Sequence, residues 1–91
     1  MIELKKCRDK IDALDRELLR LFEERMHIVK DVVGIKKANG IGICDSSRET
    51  ELISAIKAMS EDGLSEYDMA LFMKIMELSK LYQSRCLEEK L

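Results

Sequence analysis

Apolar residues recur at alternating spacings of three and four along the first third of the chain: Leu4, Cys7, Ile11, Leu14, Leu18 and Leu21, then, past Arg25, Ile28, Val32 and Ile35. That period lays all of these positions along one stripe of an α-helix. It predicts a helix from about Leu4 to Ala38, closed by Asn39-Gly40 with Gly42 just beyond, residues that stop helices. A second helix begins in the string CDSSRE, where either Asp45 or Ser46 can cap and Ser46 with Glu49 fits the capping-box spacing. Its apolar face is Leu52, Ile53, Ile56 and Met59, and it ends around Ser60, before Glu61-Asp62-Gly63. A third opens at Ser65, with Asp68 at a box-like spacing. It runs through Leu71, Phe72, Ile75, Met76, Leu78, Leu81 and Tyr82 toward the carboxyl end. Nothing in the pattern argues for strands, linkers or repeats. Residues 1–91 read as a single all-α domain, a three-helix protomer with a long first helix.

The length of that first helix sets its surroundings. Some 35 residues at about 1.5 Å each make a rod of roughly 50 Å, whereas a compact chain of this size has a radius of gyration of about 12 Å. The rod overhangs its own domain, and its overhanging part carries apolar residues. Cover from a second copy, in a helical homodimer, is the expected remedy.

Composition narrows the function classes. The chain is 46% hydrophobic and 37% charged, without proline or tryptophan, which fits one soluble helical domain. Charges occupy the amino-terminal stretch MIELKKCRDK where a signal peptide needs an apolar core, and no apolar run approaches membrane-spanning length. A cytoplasmic protein with no membrane partner is expected. Cys7, Cys44 and Cys86 are odd in number and far apart, so they read as free thiols rather than metal ligands. Net charge is -2, with no basic stripe to follow a nucleic-acid backbone.

The polar residues that interrupt the seams carry the chemistry. Arg25 stands in the middle of the first seam, where a desolvated guanidinium needs an anion. Lys36 follows it by eleven residues, a rotation of only about 20° on a helix. In the third helix, Phe72, Met76, Ser79, Gln83 and Cys86 share the same spacing, so Ser79 and Gln83 face the interior one turn apart. Two cations with a hydroxyl and an amide opposite describe a polar pocket for a small polyanion. Each residue also has an ordinary explanation. Arg25 can pair with a neighbouring Glu, and Lys36 can be solvated at a helix end. Ser79 can bond the carbonyl four residues back, and Gln83 can set register. Asp45 and Glu49 can serve as cap and capping-box residue, Arg48 as surface charge, and Met59, Met69, Met73 and Met76 as core filling. His27, the single histidine, reads as structural or surface.

Together, Arg8, Arg25, Lys36, Asp45, Arg48, Glu49, Ser79 and Gln83, in the strings LKKCRDKIDALDRELLRLFEERM, DSSRE and ELSKLYQSR, resemble the all-helical class of chorismate mutase over essentially the whole chain. The loop ANGIGIC departs from it in lacking proline and basic residues. The resemblance implies rearrangement of chorismate to prephenate by a [3,3] Claisen-type shift in aromatic amino-acid biosynthesis, with no metal and no cofactor. It implies an intertwined helical homodimer in which Arg8 and Arg25 bind the two carboxylates, with Arg48 and Ser79 helping. Glu49 and the backbone near Asp45 would hold the ring hydroxyl, while Lys36 and Gln83 meet the ether oxygen. Lys36, Gln83 and Glu49 form the expected catalytic set.

Arg8 precedes Arg25 by seventeen residues, roughly 25 Å along a straight helix. One small substrate cannot touch both in the same chain, so a shared site needs Arg8 from the partner. Two alternatives stay open at this point: isochorismate pyruvate lyase, which shares the fold, and a non-catalytic helical dimerisation module in which Arg25, Lys36 and Gln83 set register.

Overall fold

A computed structural model describes residues 1–89; Lys90 and Leu91, which the single-domain reading included, lie outside the described residues. The chain forms three helices, α1 (Ile2–Ala38), α2 (Ser46–Met59) and α3 (Ser65–Glu88), with no strand among the described residues. α3 packs on both α1 and α2, which make no helix–helix packing with each other. The molecule measures 55 × 29 × 14 Å with a radius of gyration of 16.7 Å, well above the roughly 12 Å of a compact chain this long. The difference comes from the amino-terminal half of α1, which overhangs as its length requires.

The stripe of α1 that meets α3 is not the seam defined by the apolar spacing. Phe22, Met26 and Val29 are half-buried and Val33 is buried, one residue out of step with Leu21, Ile28 and Val32. One residue is about 100° of rotation, so the predicted seam lies open beside the packed stripe: Leu14 is 64% exposed, Leu18 58% and Ile35 62%. Arg25 and Lys36 sit at the edge of the packed stripe and are half-buried. The carboxyl-terminal half of α3 supplies most of the buried residues, namely Ser79, Gln83 and Cys86.

Three expectations at the helix ends and in the core need correction. Asp45, not Ser46, caps α2: its carboxylate accepts the Arg48 backbone N–H at 3.0 Å. The box of Ser46 with Glu49 therefore does not form. Ser65 opens α3 but does not cap it, since Leu64 holds the cap position without a side-chain bond. Met59 and Met73 point outward, 74% and 58% exposed, and fill no core within the protomer. Cys7 and Cys44 are exposed free thiols, and Cys86 is a buried one.

Candidate functional site

The end of α1 places Lys36. Gly40 takes a left-handed φ of 64°, which a glycine adopts without steric cost. The chain then reverses through paired bonds, from Gly40 N–H to the Lys37 carbonyl at 3.3 Å and from Ile41 N–H to the Lys36 carbonyl at 2.8 Å, the hydrogen-bond pattern of a Schellman turn. Asn39 Nδ2 adds a bond to the Ile35 carbonyl at 2.8 Å. This reversal carries Ile43 back over the last turn, where its carbonyl accepts from Lys36 Nζ at 2.9 Å. A loop without proline is thus held by backbone bonds and by the lysine itself. Lys36 Nζ also donates to Gln83 Oε1 at 3.2 Å. An ammonium has three donors, so one remains for a ligand. With Oε1 taken, Gln83 has its amide N–H groups to offer.

One turn earlier on α3, Ser79 Oγ accepts from Arg25 Nη1 at 2.6 Å and donates to the Ile75 carbonyl at 2.8 Å. The back-bond expected of a mid-helix serine is present, and it fixes the hydroxyl as an acceptor for the guanidinium. Among the described residues Arg25 forms no ion pair with any carboxylate, so the Glu-paired reading of this arginine is set aside. Desolvation, and then the positive charge of Arg48, pull its guanidinium below the ordinary arginine range. A cation in that condition is stabilised by whatever anion reaches it.

The amino terminus of α2 closes the opposite wall. Because Asp45 performs the capping, Glu49 has no bond to make at its own helix end, and its carboxylate instead meets Lys80 of α3 at 2.7 Å. The Lys80 ammonium is raised above the ordinary lysine value by its hydrogen bond and charge interaction with Glu49. Arg48 is exposed and paired with Glu51 one turn along its own helix.

These side chains surround a pocket of about 300 Å³. Arg25, Lys36, Asp45, Arg48, Glu49, Ser79 and Gln83 all line it, with Ile28, Val29, Val32, Leu52 and Met76 as apolar walls. Four cations, counting Lys80, face two carboxylates, each with a partner already. The pocket carries a positive surplus of two, suited to a small dianion. Arg8 is not part of it. It is exposed on the overhanging end of α1, and the uninterrupted helix keeps it away from the pocket of its own chain. Sequence reasoning missed Lys80 and the Ile43 carbonyl. Lys80 lies off the seam spacing, next to Ser79, and its only signal was a cation following the interior serine; a backbone carbonyl gives none. His27 is exposed and outside the pocket.

The chain is 35% identical over 92 residues to the chorismate mutase of Methanocaldococcus jannaschii, a match spanning 98% of this chain and 93% of that protein. It is 38% identical over 61 residues to the T-protein of Haemophilus influenzae, covering 67% of this chain and 16% of that protein. The bifunctional chorismate mutase/prephenate dehydratase of Aquifex aeolicus is 36% identical over 62 residues, which is 68% of this chain and 17% of that enzyme. No solved structure gives a significant match. A profile of the chorismate mutase type II family matches residues 7–84, and the chain belongs to that family of isomerases.

Proposed function

We propose that the pocket between α1, α2 and α3 rearranges chorismate to prephenate, the bond from ring carbon to ether oxygen breaking as a carbon–carbon bond forms. The observation that carries the reading is Arg25: it is half-buried, bonded to a neutral hydroxyl and set near the positive charge of Arg48, and among the described residues no carboxylate pairs with it. Arg25 takes one substrate carboxylate, with Arg48 completing the clamp and Ser79, its own proton given to the Ile75 carbonyl, orienting the Arg25 guanidinium. Glu49 and the backbone near Asp45 receive the ring hydroxyl. Lys36 and Gln83, already joined at 3.2 Å, direct their remaining donors at the ether oxygen. Negative charge grows on that oxygen in the transition state, and donors held in place before the reaction stabilise it more than they stabilise the substrate. Holding the flexible dianion in a folded conformer adds an orientational contribution.

The second carboxylate needs a further cation, and the proposed source is Arg8 of a second copy. Two long helices laid antiparallel bring the overhanging end of one chain to the pocket of the other. The same arrangement covers the stripe of Leu14, Leu18 and Leu21, which is exposed in the protomer. The working form is then an intertwined homodimer, and its proposed location is the cytoplasm. Among the described residues no helix is long and apolar enough to cross a membrane.

The test is an assay of chorismate loss by the purified protein, with the product identified by chromatography and mass. Prephenate supports the reading. Release of pyruvate from isochorismate in its place assigns the pocket to the lyase, and no turnover of either compound overturns catalysis.

A further inference from the structure

We infer that Lys80 is a positioning residue for the reaction proposed above: from α3 it holds the Glu49 carboxylate of α2 in the orientation that receives the ring hydroxyl of the substrate. The inference rests on that reading of the pocket. The ion pairs Lys5–Asp9, Arg20–Glu17, Arg20–Glu24, Arg48–Glu51 and Lys74–Glu77 each join residues three or four apart on one helix, with side chains 56% to 76% exposed. Pairs of that kind are solvated and nearly interchangeable with water. Lys80–Glu49 differs in both respects. It is the one ion pair between two helices among the described residues, and its side chains are 41% and 30% exposed, within the wall of the pocket.

Helix geometry explains why the residue next to Ser79 does this work. Ser79 and Gln83 turn from α3 toward α1, where they meet Arg25 and Lys36. Lys80 is rotated about 100° from Ser79, which turns it toward the first turns of α2. One helix thereby orients groups on both of its neighbours. The Glu49 carboxylate makes no bond at its own helix end, because Asp45 has taken the capping role, so Lys80 is its one bonded partner among the described residues. Remove that ammonium and the carboxylate has only the pocket cations Arg25, Lys36 and Arg48 to turn to. It would then both leave the ring hydroxyl and compete with the substrate for the charges that bind it. The ring hydroxyl is the same in substrate and transition state, so the loss is expected chiefly in KM.

The test is a double-mutant cycle on the full chain, with kcat and KM measured on chorismate for the unaltered protein, Lys80→Met, Glu49→Gln and the pair together, and Lys80→Arg alongside. Lys80→Met is expected to lower kcat/KM by roughly three- to tenfold, mostly through KM, as for one mis-set hydrogen bond. Lys80→Arg, which keeps the charge, is expected to stay within about twofold of the unaltered protein, and adding Lys80→Met to Glu49→Gln is expected to cost less than about twofold more. The inference is overturned if Lys80→Met costs the same factor with and without Glu49, if arginine fails to substitute, or if Lys80→Met loses its helical circular dichroism, which would make the pair a fastening of the fold. If the unaltered protein does not rearrange chorismate, the reading of the pocket fails. If it does and the cycle is additive, only the role of Lys80 fails.

Discussion

The two halves of α1 share one apolar spacing and meet different fates. From Ile2 to Leu21 the helix is exposed on every side, although its apolar residues recur with full regularity; from Phe22 onward the same helix packs a stripe against α3 and supports a pocket. Charge is plentiful in both halves, but its use differs. In the first half Lys5 pairs with Asp9 and Arg20 with Glu17, and Arg20 also reaches Glu24 just beyond it, all as exposed, solvated pairs within the one helix. In the second half Arg25 and Lys36 bond to Ser79 and Gln83 on another helix. Apolar spacing alone therefore does not tell a protomer's core from a surface awaiting a partner. What separates them is whether polar residues in the stripe find uncharged partners across a helix boundary.

The contrast predicts effects of decreasing size. Lys36→Ala removes a donor aimed at charge that appears only in the transition state, so kcat is expected to fall by on the order of 10²–10³-fold. Steady-state kinetics, with helical content checked by circular dichroism, measure it. A kcat within a few-fold of the unaltered protein would place the ether oxygen elsewhere.

Gln83→Glu replaces the neighbouring donor with a group that donates only when protonated. An ionised carboxylate repels the growing charge on the ether oxygen, so activity is expected to be low at neutral pH and to rise as pH falls through the carboxyl's titration. A flat kcat profile across the acid range would remove Gln83 from contact with the reacting atoms.

The fold was legible where local chemistry is strong. Asn39-Gly40 ends α1 because Gly40 supplies the positive φ that its turn needs, while α2 ends at Ser60 in extended backbone and Gly63, also at positive φ, serves the turn from Glu61 to Leu64 that follows. Arg25, Lys36, Ser79 and Gln83 were legible as a group because helical period alone places them on facing stripes. The overhang of α1 was legible from the helix's length, but that the seam stays open beside α3 as well was not, since Leu21, Ile28 and Val32 look the same in sequence whether α3 or a second chain meets them. The cap of α2 was ambiguous because Asp45 and Ser46 both accept an N–H well. Once Asp45 takes it, Glu49 is released to Lys80, a consequence that requires the third dimension.

Arg25→Leu gives the smallest change in the free protein and the clearest in the bound one. Leucine suits a half-buried position at least as well as a cation without a carboxylate, so thermal stability without ligand is expected to hold or rise. A dicarboxylate mimic of the transition state at about a hundred times its Kd is expected to raise the melting temperature of the unaltered protein by roughly 10–20 °C, and that of Arg25→Leu not at all. Severe unfolding of Arg25→Leu on its own would make the arginine a structural residue.

The central claim is that the exposed half of one chain completes the pocket of another, and mixed dimers test it most directly. Arg8→Ala and Lys36→Ala are each expected to be nearly inactive, because every site in either homodimer lacks one cation. Unfolded together and refolded in equal amounts, they form mixed dimers in about half of the population, each with one doubly defective site and one intact site, so activity is expected to return to about a quarter of the unaltered level. With mixed dimers demonstrated by native mass spectrometry, no return of activity would contradict the shared site.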